Sequence, residues 1–265
     1  MTLFVTRPAQ DAEPLIEALQ ARGHTAIALP VLAIEPVEDP AVLIRTMAGI
    51  EDRGLVIFVS PNAIRQALAH REGSWPRATT IGVMGPGSVE TLKGLGIAVP
   101  DHRVVSPGRG AADGQGDRFD SESLFAALDE AIGLTRGFAG SALILRGNGG
   151  RAWFADRLRA LGIAVDEVEA YRRVRPEAGV VATASLRRLV ASHEAATFIV
   201  TSSEGVANLL AIVEHALPGD AAHAWLLGSR LLAPHRRIAE KARELGFSDV
   251  SLCAPGDRGI LAAIE

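Results

Sequence analysis

The chain has 265 residues, 48% of them apolar and 22% charged, which suits a soluble protein with two cores of about 130 residues each. Its formal charge is −4, with 27 basic against 31 acidic residues, so a general nucleic-acid binder is excluded and any anion site must be local. The single cysteine, Cys253, excludes an internal disulfide and a CxxC redox or zinc site. No apolar run reaches the length of about 18 residues needed to span a membrane. "MTLFVTRPAQ" lacks the basic start and apolar run of a secretory leader, so the expected location is the cytoplasm.

In chain order, short apolar runs alternate with amphipathic stretches. "TLFVT" (2–6) predicts a buried strand, and 9–22 a helix with Leu15, Ile16 and Leu19 on one face, closed by Gly23. "TAIALP" predicts the next strand. "LVIFVS" (55–60) leads into "PNAIRQALAH", where Ser60 suits an N-cap and Pro61 the first helical position. "TIGVMG" precedes "PGSVETLKGLGI" in the same strand–turn–helix order. The stretch "SPGRGAADGQGDRFDS" (106–121) has no apolar period and predicts a flexible loop ending at a helix N-cap. Next come the strand "SALILR" (141–146) and helix "GNGGRAWFADRLRALGI", then "ATFIVT" (196–201) and "SSEGVANLLAIV". "SRLLAP" with "HRRIAEKARELGF", and "DVSLCA" with the short helix "GILAAIE", complete the chain. This rhythm predicts the α/β class, parallel sheets joined by crossover helices.

The order contains a repeat. A shift of 139 residues carries Arg7 to Arg146 and Gly23 to Gly162. A shift of 142 carries the corner "FVSPNAI" onto "VTSSEGV", and so Ser60 to Ser202; "KGLGI" matches "RELGF" at 150. Matching blocks in one order predict a duplicated half-chain.

Several chemistries are missing. The seven histidines form no HxxxH or His–carboxylate pair, so no metal is expected, and there is no GxxxxGK[ST] or GxSxG. "GPGSVE" opens like a dinucleotide loop but has Glu90 where the third glycine belongs. Geometry then directs attention to the carboxyl ends of the strands, where parallel α/β sheets bind ligands. The residues there are Arg7, Ser60, Pro61, Asn62, Gly85 to Ser88, Arg146 to Gly150, Ser202, Ser203, Arg236 and Arg237. Most are small, hydroxylic or basic, and each group opens a helix whose free N–H groups favour an anion. Two such rims suit a large polycarboxylate better than one small phosphate. Taken singly, Ser60, Ser88 and Ser202 are equally well explained as plain N-caps. The one tyrosine, Tyr171, lies in "VEAYRRVRP" (168–176) among arginines. It is either a surface residue on a basic linker or the acid of a polyanion site.

A set of stretches then becomes recognisable: "FVTRPAQDAEPLIEALQARGHTAIALPVLAIEP", "FVSPNAIRQAL", "GVMGPGSVETLKGLGI", "RFDSESLFAAL", "LRGNGGRAWFADRLRALGIAVDEVEAYRRV" and "PHRRIAEKARELGF". Together and in this order the chain resembles the uroporphyrinogen-III synthase family, over nearly its whole length apart from the 106–118 loop. The resemblance implies two similar flavodoxin-like or Rossmann-like parallel-sheet domains joined by a two-stranded β hinge. One domain would combine 1–30 with 178–265, the other would hold 38–167, and 31–37 with 168–177 would form the hinge.

It also implies a lyase of porphyrin and haem biosynthesis. Such an enzyme takes hydroxymethylbilane, removes water, and closes the ring with inversion of ring D, using no metal or organic cofactor. The resemblance further implies a monomer that receives its substrate from the preceding pathway enzyme, with no nucleic-acid or membrane partner. Tyr171 matches the family's motif tyrosine. A phenol of ordinary pKa, about 10, is protonated at neutral pH and can donate to the departing hydroxyl or orient it. Ser60, Ser88 and Ser202 match hydroxyl positions of the family's interdomain cleft. The chain departs at "PHRRIA", where Ile238 stands in a hydroxyl position; Arg236 and Arg237 then either grip acetate and propionate groups or stand as solvated surface arginines. The rival reading is a two-lobed small-molecule binding or sensor module, since hinged lobes also serve capture. A nucleotide-using transferase is weakened by the missing phosphate loop.

Overall fold

The computed structural model of the protein describes residues 1–108, 120–150 and 152–264. Two compact units divide the chain, Met1–Ala33 with Val174–Glu265, and Ile34–Arg173. The chain opens with β1 (Thr2–Val5), α1 (Ala9–Gln20), β2 (Thr25–Ala28) and β3 (Ala33–Glu35). It continues through α2 (Ala41–Ala48), β4 (Leu55–Phe58), α3 (Pro61–Leu68), β5 (Thr80–Val83), α4 (Pro86–Gly94) and β6 (Val104–Val105). Then come α5 (Ser121–Ile132), β7 (Ala142–Gly147), α6 (Trp153–Ala160) and β8 (Val165–Val174). The return to the first unit supplies α7 (Val180–Ser192), β9 (Ala196–Ile199), α8 (Ser203–Ala216) and α9 (Asp220–Gly228). It ends with β10 (Arg230–Ala233), α10 (Arg236–Glu244), β11 (Asp249–Leu252) and α11 (Gly256–Ala262).

β1, β4, β5 and β9 are buried at every position. Continuous apolar runs of this kind are what parallel strands need when helices cover both faces. The first unit holds a five-stranded sheet, β11-β10-β9-β1-β2, and the second a six-stranded sheet, β3-β8-β7-β4-β5-β6. The ladders from β11 to β2 and from β8 to β6 are parallel. Without β3 the two orders coincide, β6-β5-β4-β7-β8 matching β11-β10-β9-β1-β2. Register agrees as well: Val5 lies opposite Ile199, and Ile144 opposite Ile57. The shifts of 139 and 142 residues convert one pair into the other. The duplication inferred from the sequence is therefore visible in the hydrogen-bonded ladders.

Each sheet is covered on both faces. In the first unit Phe4, Phe198 and Leu231 pack under Leu186 of α7, Leu209 of α8 and Ile238 of α10. Leu3, Val5 and Ile199 pack under Leu15 and Leu19 of α1 and Ile260 of α11. In the second unit Val56, Phe58 and Leu143 meet Leu43, Ile64 and Leu92 of α2, α3 and α4, while Leu55, Ile57 and Ile144 meet Leu128 of α5 and Leu158 of α6. The chain passes between units at 33/34, inside β3, and at 173/174, at the end of β8; these strands are hydrogen-bonded neighbours.

Most of the loop expected at 106–121, residues 109–119, lies outside the described residues. Its far end carries the expected N-cap, Asp120, whose carboxylate accepts the Ser123 N–H at 2.8 Å. Among the described residues no helix is long and apolar enough to cross a membrane, and no group of three or more His, Cys, Asp or Glu could hold a metal ion.

Candidate active site

The carboxyl end of β4 turns directly into α3. Ser60 stops the strand with extended backbone, and its Oγ accepts the Ala63 N–H at 3.2 Å, while Pro61 supplies the first helical residue. The same hydroxyl donates to Tyr171 Oη at 3.1 Å. Ser60 therefore joins the amino end of a helix to the phenol. Asn62, one residue past that proline, accepts from Arg65 at 3.2 Å. Ser88 lies in the first turn of the neighbouring α4 and is 3% exposed. It does not cap that helix; Gly85 occupies the cap position, with no side-chain bond.

Tyr171 is only 6% exposed and packs in the core cluster with Val168 and Ala170. Burial alternates from Val168 to Ala170, and then Ala170 and Tyr171 are buried in succession. The ladder with β7 shows why: Arg146 pairs with Glu169 but Gly147 pairs with Tyr171, so Ala170 is an extra residue. A bulge of this kind re-aims the following side chain. Without it Tyr171 would share the outward face of Glu169. The ring packs against Gly147, where an added Cβ would stand 2.7 Å from ring carbons Cε2 and Cζ. Only glycine leaves room for the phenol at this depth.

Arg172 and Arg146 are each paired with a carboxylate. Arg172 pairs with Glu38. Arg146 donates from Nη1 to Glu167 at 2.6 Å and from Nη2 to the carbonyl of Gly149, folding back on the 147–150 turn. That turn, with Gly149 and Gly150 at φ 76° and 104°, delays α6 beyond the start expected from the sequence.

The corresponding rim of the first unit holds the other expected residues. Arg7 donates to Asp257 Oδ1 at 2.5 Å and is neutralised there. Ser202 caps α8 by accepting the Gly205 N–H at 3.0 Å, and Ser203 Oγ donates to the Arg237 carbonyl at 3.5 Å. Arg236 bonds Glu240 at 2.8 Å with its side chain 83% exposed, and the Arg237 N–H donates to His235 Nδ1 at 3.2 Å. Ile238, in the position where a hydroxyl is absent, is buried in the core. Nearby Cys253 has its thiol pKa raised by burial, partly offset by the Arg7 charge.

A phenol joined to a capping serine, at the carboxyl end of a parallel sheet, is a constellation that comparison with known proteins can place. The family model for uroporphyrinogen-III synthase HemD matches residues 13–255. The chain belongs to the uroporphyrinogen-III synthase family. The uroporphyrinogen-III synthases of Escherichia coli and Salmonella typhimurium are 28% and 29% identical to it, each over 98% of both chains. A mutant uroporphyrinogen III synthase from the extremely thermophilic bacterium Thermus thermophilus superposes with a TM-score of 0.56, covering 100% of this chain and 97% of that one at 16% identity, which shows a shared fold.

Of the residues expected for such a synthase, Ser60, Pro61, Asn62, Ser88, Arg146 and Tyr171 fall in one unit and Arg7, Ser202, Ser203, Arg236 and Arg237 in the other. Among the described residues only Ser60 and Tyr171 of this set are joined side chain to side chain. Gly147 and Asn148 escaped the sequence reading as individuals, although the turn that contains them did not. Asn148 Oδ1 accepts the Arg173 N–H at 2.6 Å, and its Nδ2 donates to the Arg173 carbonyl at 3.2 Å.

Proposed function

We propose that this chain is a lyase that closes hydroxymethylbilane to uroporphyrinogen III, with Tyr171 as the proton donor to the departing hydroxyl. The C–O bond of the hydroxymethyl group breaks, its oxygen takes the phenol proton, and water leaves. The cationic azafulvene is then attacked by the substituted carbon of ring D, giving a spiro intermediate. The bond from that carbon to its original bridging methylene breaks, and the azafulvene so formed is attacked by the free carbon of ring D. The proton lost from that carbon as aromaticity returns restores the phenol. The net change is loss of one water. The observation that carries this reading is the Ser60 Oγ–H donated to Tyr171 Oη. A donor on the phenol oxygen leaves the phenol's own hydrogen for the substrate and stabilises the phenolate once that hydrogen has gone.

In this reading residues 1–30 with 178–265 and residues 38–167 act as two lobes hinged at 31–37 and 168–177, and the bilane lies between them. Its carboxylates meet the free N–H groups at the amino ends of α3, α4, α8 and α10, with the exposed Arg236 and Arg237 as mobile cations. Arg7 and Arg146, held by Asp257 and Glu167, shape the rim and reach substrate only by exchanging those partners. The protein works as a cytoplasmic monomer supplied by the preceding pathway enzyme.

The test is to incubate wild type and Tyr171→Phe with freshly made hydroxymethylbilane, oxidise the products and separate the isomers. Wild type is expected to form type III. Tyr171→Phe should keep its fold and lose roughly 10²–10⁴-fold in rate, leaving mostly the spontaneous type I isomer. Wild-type turnover by the variant removes Tyr171 from the role; type I alone from wild type removes the function.

A further inference from the structure

Asn148 stands where the ladder between β7 and β8 ought to end. β7 stops at Gly147, yet β8 runs on to Val174, beyond the bulge. Past Gly147 the Asn148 backbone N–H donates to the Tyr171 carbonyl at 3.3 Å. Its side-chain amide then substitutes for a missing strand residue. Oδ1 accepts the Arg173 N–H at 2.6 Å, and Nδ2 donates to the Arg173 carbonyl at 3.2 Å. Only one orientation of the amide satisfies both bonds. Three hydrogen bonds from one residue therefore grip β8 at 171 and 173, on either side of Arg172.

A strand whose bulge has inserted one residue has a competing register, in which the next side chain turns to the opposite face. For β8 that competitor sends Tyr171 outward, away from Ser60 and the Gly147 floor. The grip at Arg173 also falls on the last residue of the second unit.

We propose that Asn148 is a positioning residue for the ring-closing reaction: its amide locks the bulged register of β8, so that the Tyr171 hydroxyl stays on Ser60 whatever the chain does beyond 173. The proposal rests on Tyr171 being the proton donor. It treats Asn148 as acting through that phenol and not as touching substrate.

The single tyrosine makes the test direct, because protein labelled with ¹³C-tyrosine gives the signal of one residue. Asn148→Ala should shift or split that signal, and lower kcat by roughly 10²-fold, the cost of about 1 Å of misplacement, with KM little changed. Asn148→Asp keeps the acceptor for the Arg173 N–H and should recover part of the loss; it also serves should the alanine variant fail to fold. In a Tyr171→Phe background either substitution should cost almost nothing further. Equal losses in both backgrounds, or an unmoved tyrosine signal with unchanged kcat, overturn the proposal. Should Tyr171→Phe alone turn over like wild type, the donor reading falls, and the tyrosine signal of the Asn148 variants still decides whether the amide holds the register.

Discussion

Replacing Gly147 by alanine tests the placement of the phenol with one carbon atom. The new Cβ would lie 2.7 Å from Cε2 and Cζ of Tyr171 and 3.1 Å from its Oη. Carbon atoms rest at about 3.5–4.0 Å, so the ring must withdraw by about 1 Å. It is 6% exposed and packed in the cluster that includes Leu145, Val168 and Ala170, so withdrawal strains the core. Overpacking of this kind costs about 1–3 kcal/mol. A shift of about 1 Å at a reacting group costs roughly 10²-fold in rate. Thermal melting and initial rates of type III formation read the two effects separately. Gly94→Ala is the control, since nothing lies within 4 Å of a Cβ there and the helix should gain slightly. A Gly147→Ala protein that melts and turns over like wild type would refute the geometry; one that melts early but turns over normally would refute the role given to Tyr171.

Two further outcomes follow from single bonds. Ser60→Ala and Ser202→Ala each remove an N-cap and should each cost about 1 kcal/mol of stability by chemical denaturation, but only Ser60→Ala also strips a donor from Tyr171 and should lose roughly 10²-fold in kcat, against about fivefold at most for Ser202→Ala; equal kinetic losses would count against the Ser60–Tyr171 bond. Away from the site, Arg71 donates to Glu51 at 2.7 Å and holds its carboxyl pKa below the ordinary 4.5. A carboxylate lowered in this way contributes stability that is full above 4.5 and is lost as pH falls through the folded value. Melting temperature should therefore fall more steeply below pH 4.5 in wild type than in Glu51→Gln, and superimposable profiles would refute the pairing.

Much of the architecture was legible because it depends on local rules. Buried parallel strands must be apolar on both faces, so β1, β4, β5 and β9 announce themselves, and Ser60, Pro61 and Asp120 mark helix starts by the hydrogen bonds those starts need. α7 was less legible. Its inward residues Ala182, Leu186 and Leu189 are preceded by Val180 and Val181, which are 87% and 70% exposed and blur the apolar face. β6 has only two residues, too few to show a period. At the site, the cap at Ser60 could be read and its bond to Tyr171 could not, because strict alternation from Val168 places Tyr171 outward and only the bulge at Ala170 reverses it. Arg7 and Arg146 read as free cations, since Asp257 lies 250 residues from the first and Glu167 is brought to the second by strand pairing. Proximity of this sort is a property of the fold and leaves no local trace.

The duplicated design gives the bulge its chemical meaning. Both units build the same corner, in which a serine at the end of a strand caps the next helix: Ser60 onto Ala63 and Ser202 onto Gly205. In the first unit the residue against that corner is Val31, since a Cβ on Gly205 would stand 2.9 Å from Ser202 Oγ and 3.1 Å from Val31 Cγ2. The shift of 139 residues that exchanges Arg7 for Arg146 carries Val31 onto Ala170, the residue that the bulge inserts before Tyr171. One corner is thus closed by a methyl group that can only pack. The other has gained a residue, and with it a phenol on the capping hydroxyl. A single inserted residue, floored by Gly147 and bonded at Arg173 by Asn148, is sufficient to make the halves chemically unlike while their sheets remain the same.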